Sequence, residues 1–362
     1  MACGSEACGT LVELFVIQLS FGIILECLNL TDMVTFENSL NPTHLDAFRK
    51  WIQADHFTLS QSQHGTIVDI FELDWVLSRR VAVESLSLWG MSDHTWAAFE
   101  PYIVQCGNRL RCVDLHTRCW GREEFEHLLM HCPGLTSISG VDELNGDLIL
   151  THLHHSLEHV SFTSSPSSSF VSSLFDSHPH LVSMELIVKN DVRPLMAAIA
   201  GGIASRLEHL KVTLKCTKFA PFDLSVLGGC PQLRSLRILT TGSVYDFWRG
   251  GPSGLAAIVE GCADLREIEL PAGCNVNDRF LIKLASCRHL QVLSLHSHKQ
   301  ISLSALEQFS RCPMLSKLTI HRCCDFNHDV DINSALHVLF SACPHLKYLS
   351  VPDMPHTNVF PR

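Results

Sequence analysis

The stretch CPHLKYLSV, residues 343–351, is the last of a series of similar segments in this 362-residue chain. In each segment a leucine is followed at fixed offsets by two more apolar residues. The first leucines of the series are Leu110, Leu135, Leu157, Leu181, Leu207, Leu233, Leu265, Leu290, Leu315 and Leu346. Successive members are about 26 residues apart on average, which is within the period of leucine-rich repeats. A further unit, VAVESLSLWG at 81–90, precedes them, so the sequence predicts about eleven repeats.

The repeated segment predicts a short strand followed by a helix. Apolar residues alternate with polar ones, as at Leu293 and Leu295, which is typical of a strand with one buried face. Segments with helical periodicity separate the strands, and several open with Asp, Ser or Asn as a candidate N-cap. The Cys-Pro pairs that close these segments fit helix ends, because proline disfavours helical geometry in the residue before it. The predicted fold class is α/β, a right-handed leucine-rich-repeat solenoid in the shape of a horseshoe.

Sixteen cysteines are present, and seven of them recur at one position of the repeat. These seven lie three or four residues before the first leucine of a unit: Cys106, Cys132, Cys230, Cys262, Cys287, Cys312 and Cys343. Because stacked units bury a continuous row of leucines, a small apolar side chain is expected at that position. We interpret these cysteines as buried, reduced and structural, and metal or redox roles are the less favoured alternatives.

Composition and charge restrict the classes of partner. Apolar residues make up 46% and charged residues 18% of the chain, which is typical of a globular protein with a large core. The formal net charge of −10 argues against binding nucleic acid or an anionic membrane surface. The apolar stretch 14–25 is too short to span a bilayer and lacks the basic region of a signal peptide. We expect an intracellular protein of the cytoplasm or nucleus.

The sequence lacks the motifs of catalysis and cofactor binding. It contains no Gly-rich phosphate loop, no G-x-S-x-G, no H-E-x-x-H and no paired C-x-x-C motifs at zinc spacing. Two segments rich in His or Cys, 151–159 and 321–329, do not have the ligand spacing of a tetrahedral metal site. We therefore predict no catalytic residues, no cofactor and no metal site.

The pattern C-P-x-L-x-x-L-x-[LI], with further cysteines at Cys119, Cys274 and Cys323, resembles the cysteine-containing leucine-rich repeats of F-box proteins. It covers residues 75–352. Upstream, the apolar helical segments and the turn NLTD within 11–52 are similar to the F-box core. The resemblance implies that this region binds an adaptor of a cullin-type (SCF) ubiquitin ligase and that the repeats bind a target protein. The positions that match the adaptor-binding surface are Leu25, Leu28, Leu30 and Met33.

The domain organisation follows from these boundaries. We expect a flexible tail at 1–10, F-box-like helices at 11–52, a connecting or capping segment at 53–74, the repeats at 75–352 and a C-terminal tail at 353–362. The alternative for the N-terminal helices is a cap that shields the first repeat from water, as the end units of solenoids require.

The polar residues of the strands predict the target-binding surface. They alternate with the core leucines and are expected to point to the concave face of the horseshoe. The candidates are Trp89, Asp114, His116, His209, Lys211, Arg237, Glu267, Glu269, His296, Lys317, His321 and Tyr348. Their mixed charges suit a folded protein or peptide better than a polyanion.

Two segments within the repeats carry additional candidates. The insertion at 240–254 contains residue types enriched at interface hot spots, and the alternative is that these side chains pack on a neighbouring helix. They are Tyr245, Phe247, Trp248 and Arg249. The serine-rich stretch 163–173 is either a phosphorylation target or a turn that supplies helix caps, and the capping chemistry favours the turn.

These features favour a protein–protein interaction module that acts as the substrate-recognition subunit of a cullin-type ubiquitin ligase. The alternative is a stand-alone leucine-rich-repeat scaffold or regulator, in which the N-terminal helices only cap the solenoid. The expected partners are proteins, namely a ligase adaptor and an unidentified target, and the expected state is a monomer within a complex.

Overall fold

The computed structural model describes residues 36–52, 70–88, 96–115, 120–142, 145–153, 156–164, 166–188, 193–200, 205–215, 222–241, 248–249, 251–271, 274, 276–296, 301–321 and 332–350. The chain divides into two compact units, Met1–Gly140 with Thr151–Leu157, and Val141–Leu150 with Glu158–Arg362. Each unit combines helices with parallel strands, which confirms the predicted α/β class. Within the described ranges, every helix is too short or too polar to cross a bilayer.

The first unit contains three parallel strands. Its elements are α1 (Pro42–Ile52), α2 (Ile70–Arg79), β1 (Ser85–Ser87), α3 (Trp96–Cys106), β2 (Cys112–Asp114), α4 (Arg122–His131) and β3 (Ser137–Val141), whose last residue belongs to the second unit. Parallel pairing aligns Leu86, Val113 and Ile138, and all three side chains are buried. The alternation of buried and less buried residues holds in β2, whereas the buried residues of β3, Ile138 and Val141, are three positions apart and all three residues of β1 are buried.

The described part of the second unit contains eight strands of one parallel sheet and a separate pair of short parallel strands. After α5 (Gly146–His152), the elements are β4 (His159–Phe162), α6 (Ser168–Ser177), β5 (Ser183–Val188), α7 (Arg193–Ala200), β6 (His209–Leu214), β7 (Phe222–Asp223), β8 (Ser235–Thr240), β9 (Trp248–Arg249), α8 (Gly251–Gly261), β10 (Glu267–Leu270), α9 (Asp278–Leu284), β11 (Val292–His296), α10 (Leu303–Glu307), β12 (Lys317–His321), α11 (Ile332–Ala342) and β13 (Tyr348–Ser350). Strands β4, β5, β6, β8, β10, β11, β12 and β13 pair in that order. The short strands β7 and β9 pair separately.

The leucines of the repeat form a buried spine. The first leucine of each aligned segment is at most 6% exposed, the value reached by Leu346. The next apolar row is in register between strands, for example Ile268 with Leu293 and Leu293 with Leu318. Full burial of one leucine stabilises the fold by about 2 kcal/mol, so the spine is the main source of repeat stability. The predicted leucine spine is confirmed.

The Cys-x-x-Leu spacing is that of a tight turn between a helix and the next strand. The N–H of Leu315 donates to the carbonyl of Cys312 at 3.0 Å, and Leu233 bonds Cys230 in the same way at 3.1 Å. The N–H of Cys312 donates to the carbonyl of Phe309, which ends the helical segment. The Cys312 backbone, with φ −104° and ψ 78°, lies outside the helical region, as the following proline favours.

The repeat cysteines are buried, free thiols, as predicted. The S–H of Cys262 donates to the carbonyl of Leu227 at 3.4 Å, and that of Cys343 donates to the carbonyl of Phe309 at 3.4 Å. Each acceptor lies near the end of the helical segment in the preceding repeat and also accepts the backbone N–H of the cysteine that follows that segment, Cys230 or Cys312. Burial raises the pKa of Cys262 to about 12. In the segment before Leu181 a histidine, His178, takes the cysteine position and is likewise buried.

Helix starts also follow the sequence. The Ser167 hydroxyl accepts a hydrogen bond from the Phe170 N–H at 3.2 Å, and the Asn277 side chain accepts one from the Phe280 N–H at 3.0 Å. Ser302 caps α10 in the same way. The serine-rich stretch thus supplies a helix cap, as its turn interpretation requires.

One repeat of the second unit departs from the regular pattern. Between β7 and β8 the helical segment is a 3-10 helix, Leu224–Gly229. A Cβ added to Gly228 would lie 2.6 Å from the carbonyl oxygen of Ala257 in α8. A Cβ added to Gly261 would overlap the carbonyl oxygen of Gly228. These glycines therefore allow a close backbone approach that any side chain would prevent.

Candidate protein-binding surface

Four neighbouring strands of the second unit align charged residues in one row, which we call the charge ladder: Glu185, Lys211, Arg237 and Glu269. Parallel register places Glu185 opposite Lys211 and Lys211 opposite Arg237. It also places Arg237 opposite Glu269. Because side chains alternate along a strand, the ladder lies on the face opposite the leucine spine. Adjacent strands are about 4.8 Å apart, so these long side chains reach one another.

Ion pairs connect the members of the charge ladder. The Lys211 Nζ lies 2.5 Å from a carboxylate oxygen of Glu185, and both side chains are about one third exposed. The Arg237 Nε donates to Glu269 of β10 at 2.8 Å. The same nitrogen lies 3.6 Å from Glu267, which is also on β10. Arg237 therefore lies close to two carboxylates of β10.

Glu269 is the most buried member of the ladder, with a side chain 14% exposed. Its carboxylate also lies 3.5 Å from the Nε2 of His296 on β11. The hydrogen bond from His296, and next those from Arg237, outweigh burial and lower the pKa of Glu269 to about 2. Although burial opposes its charge, Arg237 has a raised pKa because of the bond to Glu269. Glu269 is therefore ionised at neutral pH.

The ladder orients side chains more than it stabilises the fold. Ion pairs between partly exposed groups contribute about 0–1 kcal/mol each. Glu267 is fixed as well, because it accepts a hydrogen bond from the Ser235 hydroxyl at 2.7 Å. The result is an ordered polar surface with paired charges of both signs, which a protein partner can match by shape and hydrogen bonding.

The remaining predicted face residues have varied surroundings. Lys317 lies over the ring of Tyr348, with its Nζ 5.4 Å from the ring centre. Burial lowers the pKa of His209. Asp114 lies on β2 in the first unit and is half-buried. The backbone of His321 closes β12 opposite His296.

Several predicted site residues lie outside the described part of the chain. These are Leu25, Leu28, Leu30, Met33, Trp89, His116, Tyr245 and Phe247. Of the insertion, Trp248 and Arg249 form β9, whose backbone pairs with Phe222 and Asp223 of β7. The adaptor-binding and insertion predictions therefore remain predictions.

A buried carboxylate joins the N-terminal helices of the first unit. The Glu37 side chain is 2% exposed and accepts hydrogen bonds from the Trp75 Nε1 at 2.5 Å and the Arg79 Nε at 2.7 Å. Its other oxygen accepts a hydrogen bond from the Arg49 Nε at 2.8 Å. Burial would raise the pKa of Glu37, but the bonds from Arg79, Arg49 and Trp75 outweigh it and lower the pKa. Glu37 thereby ties α1 to α2.

Sequence reasoning missed two of these features. Glu185 lies four residues after Leu181, the offset that also gives Lys211 after Leu207, so the repeat alignment contained the signal. The partners of Glu37 lie up to 42 residues away, and neither periodicity nor a motif indicates that contact. The described residues hold no group of three or more His, Cys, Asp or Glu side chains placed to bind a metal ion.

Comparison with known proteins identifies the fold and no family. No family model matches the chain, and no curated protein matches its sequence. Among solved structures, a chain in the crystal structure of the Rad7 and Elc1 complex in yeast aligns with a TM-score of 0.59 at 14% identity, over 96% of this chain and 92% of that chain. A chain of the Toll–Spatzle complex of Drosophila aligns with a TM-score of 0.34 at 13% identity, over 82% of this chain and 47% of that chain. The first alignment shows a shared fold.

Proposed function

We propose that this protein is a binding subunit that presents a target-recognition surface on its repeats, as the substrate-recognition subunit of a cullin-type ubiquitin ligase. The observation that carries the proposal is the charge ladder, since four strands hold one ordered polar row on the face opposite the core. Such a surface offers paired charges and hydrogen-bonding groups to a partner. We also propose that the repeats form a right-handed horseshoe with this row on its concave side.

Two further observations support a role in protein binding. The solved chain with the same fold was crystallised in a complex of two proteins, Rad7 and Elc1. The repeat sequence resembles that of F-box proteins from 75 to 352, and in those proteins the N-terminal helices hold a ligase adaptor. In our proposal the protein acts as a monomer within such a complex, in the cytoplasm or nucleus, and performs no catalysis of its own.

Adaptor binding is tested at the positions that match the F-box surface. We expect the full chain to retain a purified cullin-ligase adaptor at micromolar concentration. Leu28→Ser with Leu30→Ser should weaken retention about thirtyfold or more, because a few desolvated apolar anchors dominate interface energy at ~2 kcal/mol or more. The double substitution is a sharper test than deletion of 1–52, because deletion would also remove Glu37 and Arg49 and leave Trp75 and Arg79 without the buried carboxylate.

A matched control keeps the interpretation clear. Leu40→Ser with Leu45→Ser changes two leucines outside the proposed surface. We expect that control to retain the adaptor if it stays folded by circular dichroism. If the unmodified chain fails to retain any adaptor, the ligase proposal is wrong, while the proposal of a target-binding surface stands.

A stand-alone scaffold is the second candidate, and the Glu37 cluster favours it. A cap must be fixed to the start of the solenoid, and Glu37 fixes α1 to α2, the helix before the first repeat strand, through Arg49, Trp75 and Arg79. In that case the chain binds its target but no adaptor. The adaptor experiment therefore separates the two candidates.

A further inference from the structure

The residue directly after the first leucine of a repeat is basic in four units: Arg111, Arg234, Arg266 and Lys347. The backbone bonds of this position connect one repeat to the next, as from the Arg266 N–H to the Arg234 carbonyl at 2.7 Å. The four residues are therefore equivalent in the fold, and differences between their side-chain partners come from the neighbouring repeats.

The first two of these side chains are used inside the protein. The Arg111 guanidinium donates to the carbonyl of Gly134 in the next turn at 2.9 Å. The Arg234 guanidinium lies 2.5 Å from the carboxylate of Glu208, which occupies the same position one repeat earlier. These arginines stabilise the turns through contacts within the protein.

The last two side chains have no such use. Arg266 has Arg234 and Gln291 as its neighbours in the row, and Lys347 follows Ser316. Both are exposed, and among the described residues no carboxylate lies within ion-pair distance of either. Arg288 in the turn before β11 is exposed as well.

The same edge also exposes apolar surface. Met314, in the turn before β12, is 42% exposed, and Tyr348, at the start of β13, is 37% exposed. Lys317 lies beside that ring. Across the four turns before β10, β11, β12 and β13 and the first residues of those strands, the sequence has two carboxylates, Asp264 and Glu267, and Glu267 accepts a hydrogen bond from Ser235. This small region is basic in a chain whose net charge is −10.

We propose that this edge, the basic turn edge of Arg266, Arg288, Lys317 and Lys347 with Met314 and Tyr348, binds an acidic segment of a partner protein that carries an apolar side chain. This deepens the proposed binding function and does not depend on its ligase part. Arginine, tyrosine and methionine are residue types enriched at protein interfaces, and within the described part of the chain no ion pair involves Arg266, Arg288, Lys317 or Lys347.

The distance between the basic residues sets the spacing of the acidic residues in the expected peptide ligand. Arg266 and Lys347 lie three strands apart, about 14 Å at ~4.8 Å per strand. An extended peptide rises about 3.3 Å per residue, so two acidic positions about four residues apart, with an apolar residue between them, match the edge. Nucleic acid is the less favoured ligand, because the protein as a whole is acidic and would repel a long polyanion.

The test uses a fluorescent peptide of about ten residues with two pairs of glutamates flanking a central leucine, and fluorescence anisotropy with the full chain. We expect micromolar binding that weakens as salt rises, and no binding of the same peptide with glutamine in place of glutamate. Arg266→Gln with Lys347→Gln should weaken binding about tenfold, or ~1.4 kcal/mol.

The control changes the net charge equally at other places. Lys215→Gln with Arg279→Gln removes two exposed cations from the second unit and should change the affinity less than twofold. Equal losses in both variants, equal binding of the glutamine peptide, or no binding by the unmodified chain would each overturn the proposal. Tighter binding of a uridine oligonucleotide than of the acidic peptide would overturn it as well. No adaptor is present, so this result is independent of the adaptor experiment.

Discussion

The leucine spine and the charge ladder lie on opposite faces of the same strands, yet the repeat dictates them to different degrees. Leu293 and its equivalents on the other strands are leucine, isoleucine, valine or methionine, because the buried face accepts apolar side chains. On the ladder face, Glu185 is followed by Lys211 and Arg237. The repeat therefore fixes where a surface residue lies, while its chemistry is free to vary and to specify a partner.

The largest expected effect on stability comes from placing a charge in the leucine spine. Leu293 is fully buried, so Leu293→Asp places an unpaired carboxylate in the core and should lower the free energy of unfolding by about 4 kcal/mol or more. Urea denaturation followed by circular dichroism measures the change. The control is Val292→Asp, on the half-buried opposite side of β11, for which we expect about 1 kcal/mol. An unchanged midpoint for Leu293→Asp would contradict the buried spine.

A smaller effect is expected for the buried carboxylate of Glu37. Glu37→Gln leaves Arg49 and Arg79 without a carboxylate and should cost about 2 kcal/mol. Because the folded pKa of Glu37 is lowered, its contribution is complete above the unfolded pKa and is lost as pH falls below it. Thermal melts at neutral and acidic pH should show that the melting temperature falls less on acidification in the variant than in the parent. The control Glu123→Gln, at an exposed position of α4, should behave like the parent.

The smallest effect is expected in the ladder. Glu269→Gln should cost only about 0.5–1 kcal/mol at neutral pH, because the pairs are partly exposed. The folded pKa of Glu269 is about 2, against an ordinary value of 4.5, so its contribution is full above 4.5 and disappears as pH falls towards 2. Urea midpoints measured across that window should converge for parent and variant. A cost as large as that of Glu37→Gln would mean that the ladder is structural and poorly suited to recognition.

Much of the fold was predictable because burial follows periodicity. Any repeat with leucines at these offsets must stack to hide them, so the α/β class, the strand positions and the buried cysteines could be inferred without knowing neighbours in space. The 3-10 helix at Leu224–Gly229 was not predicted, because it depends on how closely Gly228 approaches α8.

The site was predictable only in part. The offset from the first leucine placed Lys211, Arg237 and Glu269 on the polar face, but it did not show that they pair with one another. Pairing depends on which residue stands at the same offset one repeat away, and on whether two side chains reach each other.

The sequence by itself determined the repeat, its spine and the side of each strand that meets solvent, since a period of two along a strand leaves no alternative. Only the tertiary structure decided which charges are satisfied. Arg234 and Arg266 have the same offset and the same side chain, yet Arg234 meets Glu208 and Arg266 meets no described carboxylate. The physical reason is that an ion pair needs two groups within a few ångströms, and that distance is set by the neighbouring repeat and not by the local sequence.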